Sequence, residues 1–407
     1  MTASLTPRRE LWLLLTLAGI QFTHILDFMI MMPLGPQFTE LFGISNAEFG
    51  LLVSAYTLSA GVSGVVAATY VDKFSRKRLL LSMYALFGVA TLACGLAPDY
   101  GWLMVARVAA GLFGGVLSAL SQTIVADVIP FERRGRAMGV VMTSFSVSTV
   151  AGVPLGLFLA AHLSWHAPFF GIAALVGVLC FAAWQTLPNL DAHLHHPQRT
   201  SVWRSIGQVL AEPNHLKAFA LSALMMFAGF TVIPYITIYL QSNSGMRPDQ
   251  VPWVYLLGGV ATLLSSRFFG RLTDRAGKVV VFQRLALAVA VPLMATTLSQ
   301  GLPLAGLLAI STLFFTLMSG RMIPGMALVS SAVEPRLRGT FMTLNSAVQS
   351  AAMGLAAMVS GLIIGRDAQG QLTHYWVAGL LGVVASVASV WLAGHIRLNE
   401  ANSPVRA

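Results

Sequence analysis

The chain has 407 residues, of which 56% are hydrophobic and only 10% are charged, and its mean hydropathy is +0.74. This composition excludes an ordinary water-soluble globular protein and indicates an all-α membrane protein that crosses the bilayer many times. The 25 Lys and Arg outnumber the 15 Asp and Glu, but the bases lie in short loops between apolar runs, where they set orientation, so nucleic acid is not an expected partner.

Twelve apolar runs of spanning length follow one another along the chain. The first six lie at 11–32, 47–70, 79–96, 102–126, 137–161 and 168–187. The second six lie at 216–241, 251–272, 279–298, 303–329, 340–364 and 373–396. A polar stretch at 188–215 separates the two sets, and within it we expect a short interfacial helix at 202–210. We therefore predict twelve transmembrane helices in two pseudo-symmetric six-helix bundles, at 1–187 and 216–407, joined by the linker 188–215.

Positive charge is distributed unequally between alternate loops. The loops on one side carry nearly all of the loop bases, whereas Arg247 and Arg366 are the only bases on the other side. Because basic loops remain in the cytoplasm, we predict that both termini and the linker are cytoplasmic and that the protein lies in a bacterial inner membrane. The first apolar run is too long for a cleaved signal peptide, so we expect it to be retained.

The first span contains the one acidic residue that we expect deep in the membrane. Asp27 lies inside the run 11–32, whereas the other acids fall in loops, tails or at the ends of apolar runs. A carboxylate near the middle of a spanning helix costs about 2.5–3.5 kcal/mol on insertion scales, so it faces a protein interior or a water-filled cavity. His24 lies three residues earlier, on the same helical face. We predict that Asp27 and His24 take part in proton coupling.

The loop after the second span is repeated in the two halves. ATYVDKFSRK, which ends at Lys77, and GRLTDRAGK, which ends at Lys278, place an Asp, the following base and a base four residues later at matching positions. An Arg-Gly pair then follows 62 residues after Asp72 and 64 residues after Asp274. The register therefore holds over two further spans, as expected for parallel repeats.

The second-half loop resembles the Gly-x-x-x-Asp-Arg-x-Gly-Arg/Lys signature of the major facilitator superfamily, and the resemblance covers the whole chain. The first-half copy departs from it at Ala68 and Ser75. The resemblance implies a transporter in which these loops hold the cytoplasmic side closed, with an Asp at a helix N-terminus and a base contacting an acid at the end of the fourth span. Alternatively, the charges only set topology. The implied gating residues are Asp72, Lys73, Arg76, Lys77, Asp127, Gly270, Asp274, Arg275, Gly277 and Lys278.

Arg107 and Gly111 in the fourth span resemble the Arg-x-x-x-Gly pattern of proton-coupled exporters. At ~1.5 Å per residue, Asp27 lies about 24 Å from the inner start of its span and Arg107 about 8 Å from the outer start of its own. In a hydrocarbon core of about 30 Å these positions have nearly the same depth. We predict that Arg107 is the electrostatic partner of Asp27; alternatively, its side chain extends to the outer surface.

The fifth span carries Gly152, Pro154 and Gly156, which resemble the Gly-x-Pro-x-Gly pattern of sugar-efflux and drug-efflux relatives. Such a pattern predicts a kinked helix that packs closely against a helix of the other half, at Gly258 and Gly259. Alternatively, it reflects ordinary small-residue packing without a link to antiport.

Candidate substrate contacts occur in both halves. Arg321, in the tenth span, would contact the substrate or close the inner gate, or it would extend to the inner surface. Met and aromatic residues on the seventh helix either form a soft binding surface or simply pack. The predicted substrate-binding residues are Gln21, Phe28, Met226, Phe230, Tyr235 and Arg321. His193, His195 and His196 are expected to lie in a solvated loop, so no metal site is predicted.

The sequence lacks a Walker loop, a nucleotide fingerprint and a hydrolase elbow, so we predict neither an enzyme nor a cofactor. We predict a secondary active transporter that exports a small organic or amphipathic compound by proton antiport through alternating access, with the proton gradient as its energy source. The alternative is a facilitative or proton-symport carrier of a small metabolite; a membrane receptor or structural protein would not need Asp27. The expected partners are a small-molecule substrate, protons and the lipid bilayer, and we expect a monomer.

Overall fold

Long helices account for nearly all of the chain that the structure, a computed structural model, describes: residues 6–188, 190 and 202–398. The helices of the first half are α1 (Pro7–Ile30), the short α2 (Gly35–Leu41), α3 (Asn46–Tyr70), α4 (Arg76–Gly95), α5 (Tyr100–Val128), α6 (Phe131–Val147), α7 (Val153–His162) and α8 (Ala167–Thr186). Those of the second half are α9 (Val202–Ala211), α10 (Pro213–Phe230), α11 (Ile236–Ser242), α12 (Val251–Ala276), α13 (Lys278–Ala288), α14 (Ala290–Thr297), α15 (Leu304–Ser331), α16 (Arg338–Ile363) and α17 (Tyr375–Ala393).

The twelve predicted spans correspond to these helices. In the described ranges, 11 helical stretches are long and apolar enough to cross a membrane. The remaining span is α12, whose 26 residues are long enough but include Arg267 and Arg271. The predicted class, an all-α membrane protein, is confirmed, each of the twelve predicted spans has a helical counterpart, and the short helix predicted at 202–210 is α9.

Three spans are interrupted, each four residues before a proline. A proline has no backbone N–H, and its ring clashes with the carbonyl group four residues earlier, so it breaks the helix at that point. The fifth span has a π-helical turn, Ser148–Gly152, which contains the position four residues before Pro154. In the same way, α10 ends four residues before Pro234 and α13 ends four residues before Pro292. Only the first of these interruptions, where a kink was expected, was predicted.

The described residues pack into two units. The first contains those of Met1–Leu34 and Ala55–Arg199, and the second contains those of Gly35–Ser54 and Thr200–Ala407. Packing therefore assigns 35–54, which the sequence places in the first bundle, to the second unit. Within that unit, Ser54 Oγ donates a hydrogen bond to the Gly354 carbonyl at 2.6 Å. The predicted bundle limits at 1–187 and 216–407 stay a prediction.

A short hairpin joins α16 to α17. Its strands, β1 (Gly365–Arg366) and β2 (Leu372–Thr373), are antiparallel, with Gly365 opposite Thr373. The sequence gives no periodic signal for strands of two residues, so this hairpin was not predicted. Cys94 and Cys180 are both free.

Candidate functional site

The first unit contains a buried ion pair between α1 and α5. Arg107 Nη1 donates a hydrogen bond to Asp27 Oδ2 at 2.8 Å, and both side chains are 0% exposed. The same nitrogen lies 3.3 Å from the Asp27 backbone carbonyl oxygen, which also accepts from it. The predicted contact is therefore present, and the alternative, in which Arg107 extends to the outer surface, is wrong. Burying two charges is costly, so a pair of this kind is weak evidence for stability alone.

Glycines on α5 bring α3 close to this pair. A Cβ atom at Gly111, one turn after Arg107, would overlap Ser59 Oγ and the backbone carbonyl of Tyr56. A Cβ atom at Gly115 would overlap the backbone of Ala60. Because small residues let two helix backbones approach, these positions fix where α3 lies along α5. The Gly of the Arg-x-x-x-Gly pattern thus has a direct packing role beside the charge.

This close approach places an aromatic ring on the guanidinium group. The Arg107 guanidinium carbon lies 4.4 Å from the centroid of the Tyr56 ring, a cation–π distance. The Phe28 ring stacks on Tyr56 with centroids 5.5 Å apart. The His24 ring lies 6.1 Å from the Tyr56 ring and borders Gly114, where a Cβ atom would come within 2.8 Å of it. The predicted residues His24 and Phe28 therefore lie beside Tyr56, whose ring contacts Arg107 of the ion pair.

Several buried polar atoms around the pair have no hydrogen-bond partner among the described residues. They are Asp27 Oδ1, Arg107 Nε and Nη2, the Tyr56 hydroxyl, Thr91 Oγ1 and His24 Nδ1, although Thr91 lies near enough to Asp27, and Cys94 near enough to Arg107, to interact with these charges. Buried polar atoms are almost always paired, and an exception calls for an explanation such as a functional role or a bound water or ion. This group of atoms has the donors and acceptors needed to receive a proton, water or a polar group of a substrate.

Three residues of this site were not predicted from the sequence. Tyr56 belongs to α3, and Thr91 and Cys94, one turn apart on α4, lie beside the Asp27–Arg107 pair. The available signal was weak: a hydroxyl three residues before a thiol within an apolar run, and a tyrosine in the middle of a span. Cys94 is fully buried next to the guanidinium group.

Gln21 lies on α1 toward the side where that helix begins. Its Nε2 donates to Ser118 Oγ at 2.9 Å, and Ser118 Oγ donates to its Oε1 at 3.0 Å, so the two side chains exchange hydrogen bonds. Gln21 is 5% exposed. Its polar atoms are therefore engaged with α5.

The other predicted substrate residues belong to the second unit. The Tyr235 hydroxyl donates to the Ala357 carbonyl at 2.7 Å and is fully buried. Arg321 Nη2 donates to the Met225 carbonyl at 2.7 Å, and Nη1 donates to Ser386 Oγ at 3.0 Å. Arg321 is only 1% exposed, so it does not extend to the inner surface. Two further residues, Met226 and Phe230, are half-buried on α10.

The repeated loop of the first half makes the predicted contact with α5. Arg76 Nε donates to Asp127 Oδ2 at 2.7 Å. Lys77 Nζ donates to the Leu187 carbonyl at 2.6 Å, which connects the start of α4 to the end of α8. Lys73 is exposed. The side chain of Asp72 lies outside the described part of the structure, so its contact with a helix N-terminus stays a prediction.

The two copies of the loop differ in backbone conformation. Gly277 has a φ of +88°, which only glycine adopts readily, and it lies between α12 and α13. Ser75, at the matching position of the first half, has a φ of −55°, so this copy does not need glycine. In the second copy, Lys278 Nζ donates to Ser331 Oγ at 2.8 Å, whereas Asp274 and Arg275 are exposed and Gly270 borders open space.

The partner predicted for Gly152 and Gly156 was wrong. A Cβ atom at Gly152 would lie 3.0 Å from Leu26, and one at Gly156 would lie 2.6 Å from Ile30, so both glycines face α1 of their own unit. Gly258 instead faces Phe315, because a Cβ atom at Gly258 would lie 2.7 Å from the Phe315 ring. The motif specifies a close approach between helices, but it does not specify which helix approaches.

In the described ranges, no group of three or more His, Cys, Asp or Glu residues could hold a metal ion. His193, His195 and His196 lie outside these ranges.

Comparison with known proteins identifies the family. The sequence matches the Major Facilitator Superfamily over residues 17–357 and 218–407. The chain belongs to this superfamily. It is therefore a multi-pass membrane transport protein that needs no cofactor, and not an enzyme.

Its relatives include the uncharacterized MFS-type transporter YtbD of Bacillus subtilis (strain 168), which is 26% identical over 382 residues, 93% of this chain and 94% of the relative. Among solved structures, a bacterial homolog of the human lysosomal transporter Spinster, in an inward-facing and occupied conformation, has a TM-score of 0.76 at 17% identity and covers 96% of this chain and 98% of its own. A D-xylose-proton symporter has a TM-score of 0.75 at 17% identity, and the match covers 93% of this chain and 96% of the symporter.

Proposed function

We propose that this chain is a proton-driven exporter of a small organic or amphipathic compound, in which Asp27 takes up and releases the coupling proton. The observation that supports this proposal is the fully buried Asp27–Arg107 pair, beside which several buried polar atoms have no hydrogen-bond partner among the described residues. A charged pair of this kind inside a membrane protein marks an ion or substrate pathway. Arg107 is the partner that favours the ionised carboxylate, and His24 belongs to the same proton-handling group.

Protonation would change this site without separating the helices that form it. A neutral Asp27 side chain loses its charge interaction with Arg107, but the guanidinium group keeps two other contacts. These are the hydrogen bond to the Asp27 backbone carbonyl and the face of the Tyr56 ring. The site can therefore alternate between an ion pair and a separated cation while α1, α3 and α5 stay together.

A second candidate is a facilitative or proton-symport carrier of a small metabolite. It is favoured by the likeness to a D-xylose-proton symporter, which has the same fold and, by its name, moves protons with its substrate. The direction of transport distinguishes the two candidates. In antiport, a proton gradient drives the substrate against the proton flow, whereas in symport both move together.

The experiment is transport in proteoliposomes with an imposed pH gradient and a panel of labelled sugars, nucleosides and amphipathic drugs. Antiport predicts that an acidic interior drives substrate uptake into the vesicles. Uptake driven by an acidic exterior would indicate symport, and uptake that ignores the gradient would indicate a facilitative carrier. Asp27→Asn serves as the uncoupled reference in each case.

We further propose the placement of the remaining predicted residues. Both termini face the cytoplasm of a bacterial cell with the protein in the inner membrane, and the protein acts as a monomer. The repeated loops at Asp72 and Asp274 gate the cytoplasmic side, with Arg76 and Asp127 as one of the contacts that must break. Gln21, Phe28, Met226, Phe230, Tyr235 and Arg321 are proposed to contribute to substrate binding, directly or by shaping the pocket.

A further inference from the structure

A cleft opens at the junction of α3 and α4, beside the first-half loop for which we propose a gating role. Its volume is about 610 Å³, and it lies in the first unit, where the chain passes from the end of one span to the start of the next. Its lining residues combine aromatic, basic, hydroxyl and apolar side chains: Tyr70, Lys73, Phe74, Ser75, Arg78, Leu79, Ser82 and Met83.

The charge in this cleft is positive and uncompensated among the described residues. Lys73 and Arg78 are both exposed, and neither has an ion pair or a side-chain hydrogen bond in the part of the chain that the structure describes. The described lining includes no acidic residue, while the hydroxyl groups of Ser75 and Ser82 add donors. Two bases with nearby hydroxyl groups form a suitable environment for a phosphate group.

The cleft continues into an apolar surface on α4. Arg78, Ser82, Leu86 and Val89 are all exposed and recur at helical spacing, so they share one face of this helix. The polar residues come first and the apolar residues follow. At ~1.5 Å per residue, Val89 lies about 16 Å from Arg78 along the helix, close to the hydrocarbon depth of one leaflet.

A second apolar strip reaches the cleft along α3. Val62 and Val66 are exposed, and Tyr70 follows at the same spacing. The Tyr70 and Phe74 rings then meet edge to face, with centroids 6.3 Å apart. Aromatic side chains are typical of the level of lipid headgroups. Charge at one end and apolar surface beyond it match the shape of a phospholipid better than that of a soluble anion.

We propose that this cleft binds an anionic phospholipid, with its phosphate group at Lys73 and Arg78 and its acyl chains along the exposed faces of α3 and α4. The bases neutralise the headgroup, and the apolar strips cover the chains. A free phosphate ion shares the headgroup chemistry but cannot use these strips. This inference does not depend on the direction of transport or on proton coupling.

The test is native mass spectrometry of the full chain in detergent, titrated with phosphatidylglycerol or phosphatidylcholine carrying identical oleoyl chains. We expect the wild-type protein to retain phosphatidylglycerol on the order of tenfold better, because each base near a membrane surface favours anionic lipid. The double variant Lys73→Gln/Arg78→Gln should lose that preference. The control Arg271→Gln/Arg397→Gln removes two exposed bases elsewhere and should keep it.

Two further measurements on the wild-type protein separate lipid from phosphate. Phosphatidylglycerol with hexanoyl chains should bind more weakly than the oleoyl form, and inorganic phosphate at equal concentration should not displace the oleoyl form. The proposal is overturned if both lipids are retained equally, if Lys73→Gln/Arg78→Gln keeps the preference, or if chain length has no effect and phosphate competes. Size-exclusion profiles establish that each variant is folded.

Discussion

The Arg107 guanidinium carbon lies 4.4 Å from the centroid of the Tyr56 ring, while its Nη1 atom is 2.8 Å from the Asp27 carboxylate. The cation is therefore held by residues from α1 and α3 as well as by its own helix. A ring face stabilises a cation without carrying charge, so it serves both the paired and the separated state of the carboxylate. Tyr56 is thus the residue through which α3 contacts the cation of the site.

Substitution of Tyr56 separates the role of its ring from that of its hydroxyl group. Tyr56→Phe keeps the aromatic face and should retain most of the transport activity. Tyr56→Leu removes a desolvated cation–π contact worth about 2 kcal/mol, so proton-driven transport should fall by roughly 10- to 30-fold. The measurement is the initial rate in proteoliposomes under a fixed pH gradient. Equal rates for the two variants would mean that the ring does not hold Arg107.

Asp27→Asn should abolish transport driven by the pH gradient while the protein stays folded in the membrane. The amide cannot take up or release a proton, although its shape fits the same space. The control is Asp249→Asn, which removes an exposed acid from a surface pair with Arg247 and should transport normally. Expression is followed by fluorescence-detected size exclusion. Full gradient-driven activity of Asp27→Asn would contradict the coupling role.

Arg107 should control the pH dependence of transport. In Arg107→Ala the charge that favours an ionised Asp27 is absent, so the midpoint of the rate against pH should move by about one pH unit or more. Arg107→Lys keeps a positive charge and should stay closer to the wild-type midpoint, although a lysine lacks the flat guanidinium that stacks on Tyr56. Identical pH profiles for wild type and Arg107→Ala would argue against the pair.

The contact between Asp27 and Arg107 could be predicted because it depends on depth, and depth follows from the fixed rise of a helix. The rotation of a helix about its axis, in contrast, does not follow from the helical rise. Which side chains of α3 and α4 meet the pair depends on packing, so Tyr56, Thr91 and Cys94 could not be identified from spacing alone. The glycines that fix this packing were visible in the sequence, but their partners were not.

Gly111→Ala should disturb the site through the backbone of α3. Its methyl group would overlap Ser59 Oγ and the Tyr56 carbonyl, and the Tyr56 Cα lies only 3.0 Å away, so a backbone has to move. We expect a cost of about 1–3 kcal/mol, as for other overpacked sites. The matched control is Gly139→Ala on α6, where no described atom lies within 4 Å. That change should be neutral or stabilising, because alanine favours a helix.

The readout for these two glycines is thermal unfolding in detergent together with transport. Gly111→Ala should have a lower unfolding temperature than Gly139→Ala and should lose transport. A result in which Gly111→Ala unfolds and transports like the control would show that α3 can shift without cost.

The wrong prediction for Gly152 and Gly156 has the same physical origin as the missed residues. A glycine pattern indicates that another helix comes close, but any neighbouring helix satisfies it, and here α1 does so through Leu26 and Ile30. The breaks in the spans have a local cause, since a proline acts on its own helix four residues back, although only the break before Pro154 was predicted and α15 continues through Pro324. Local rules were therefore sufficient for the spans and for depth, whereas partner choice required the folded structure.

The Arg76–Asp127 contact provides a charge-exchange test of the cytoplasmic gate. Arg76 is buried and the side chain of Asp127 is 36% exposed, so the pair is worth about 1 kcal/mol or less after screening by solvent. Arg76→Asp and Asp127→Arg should each reduce the transport rate several-fold, because like charges then meet at this point. The double exchange, Arg76→Asp/Asp127→Arg, should recover a substantial part of the rate.

The matched control is the Arg133–Glu10 pair, whose charged atoms are 3.0 Å apart and in which Arg133 is more exposed. Arg133→Gln should change the transport rate little. If the double exchange is no better than the worse single variant, then the two residues act separately and the contact does not contribute to gating.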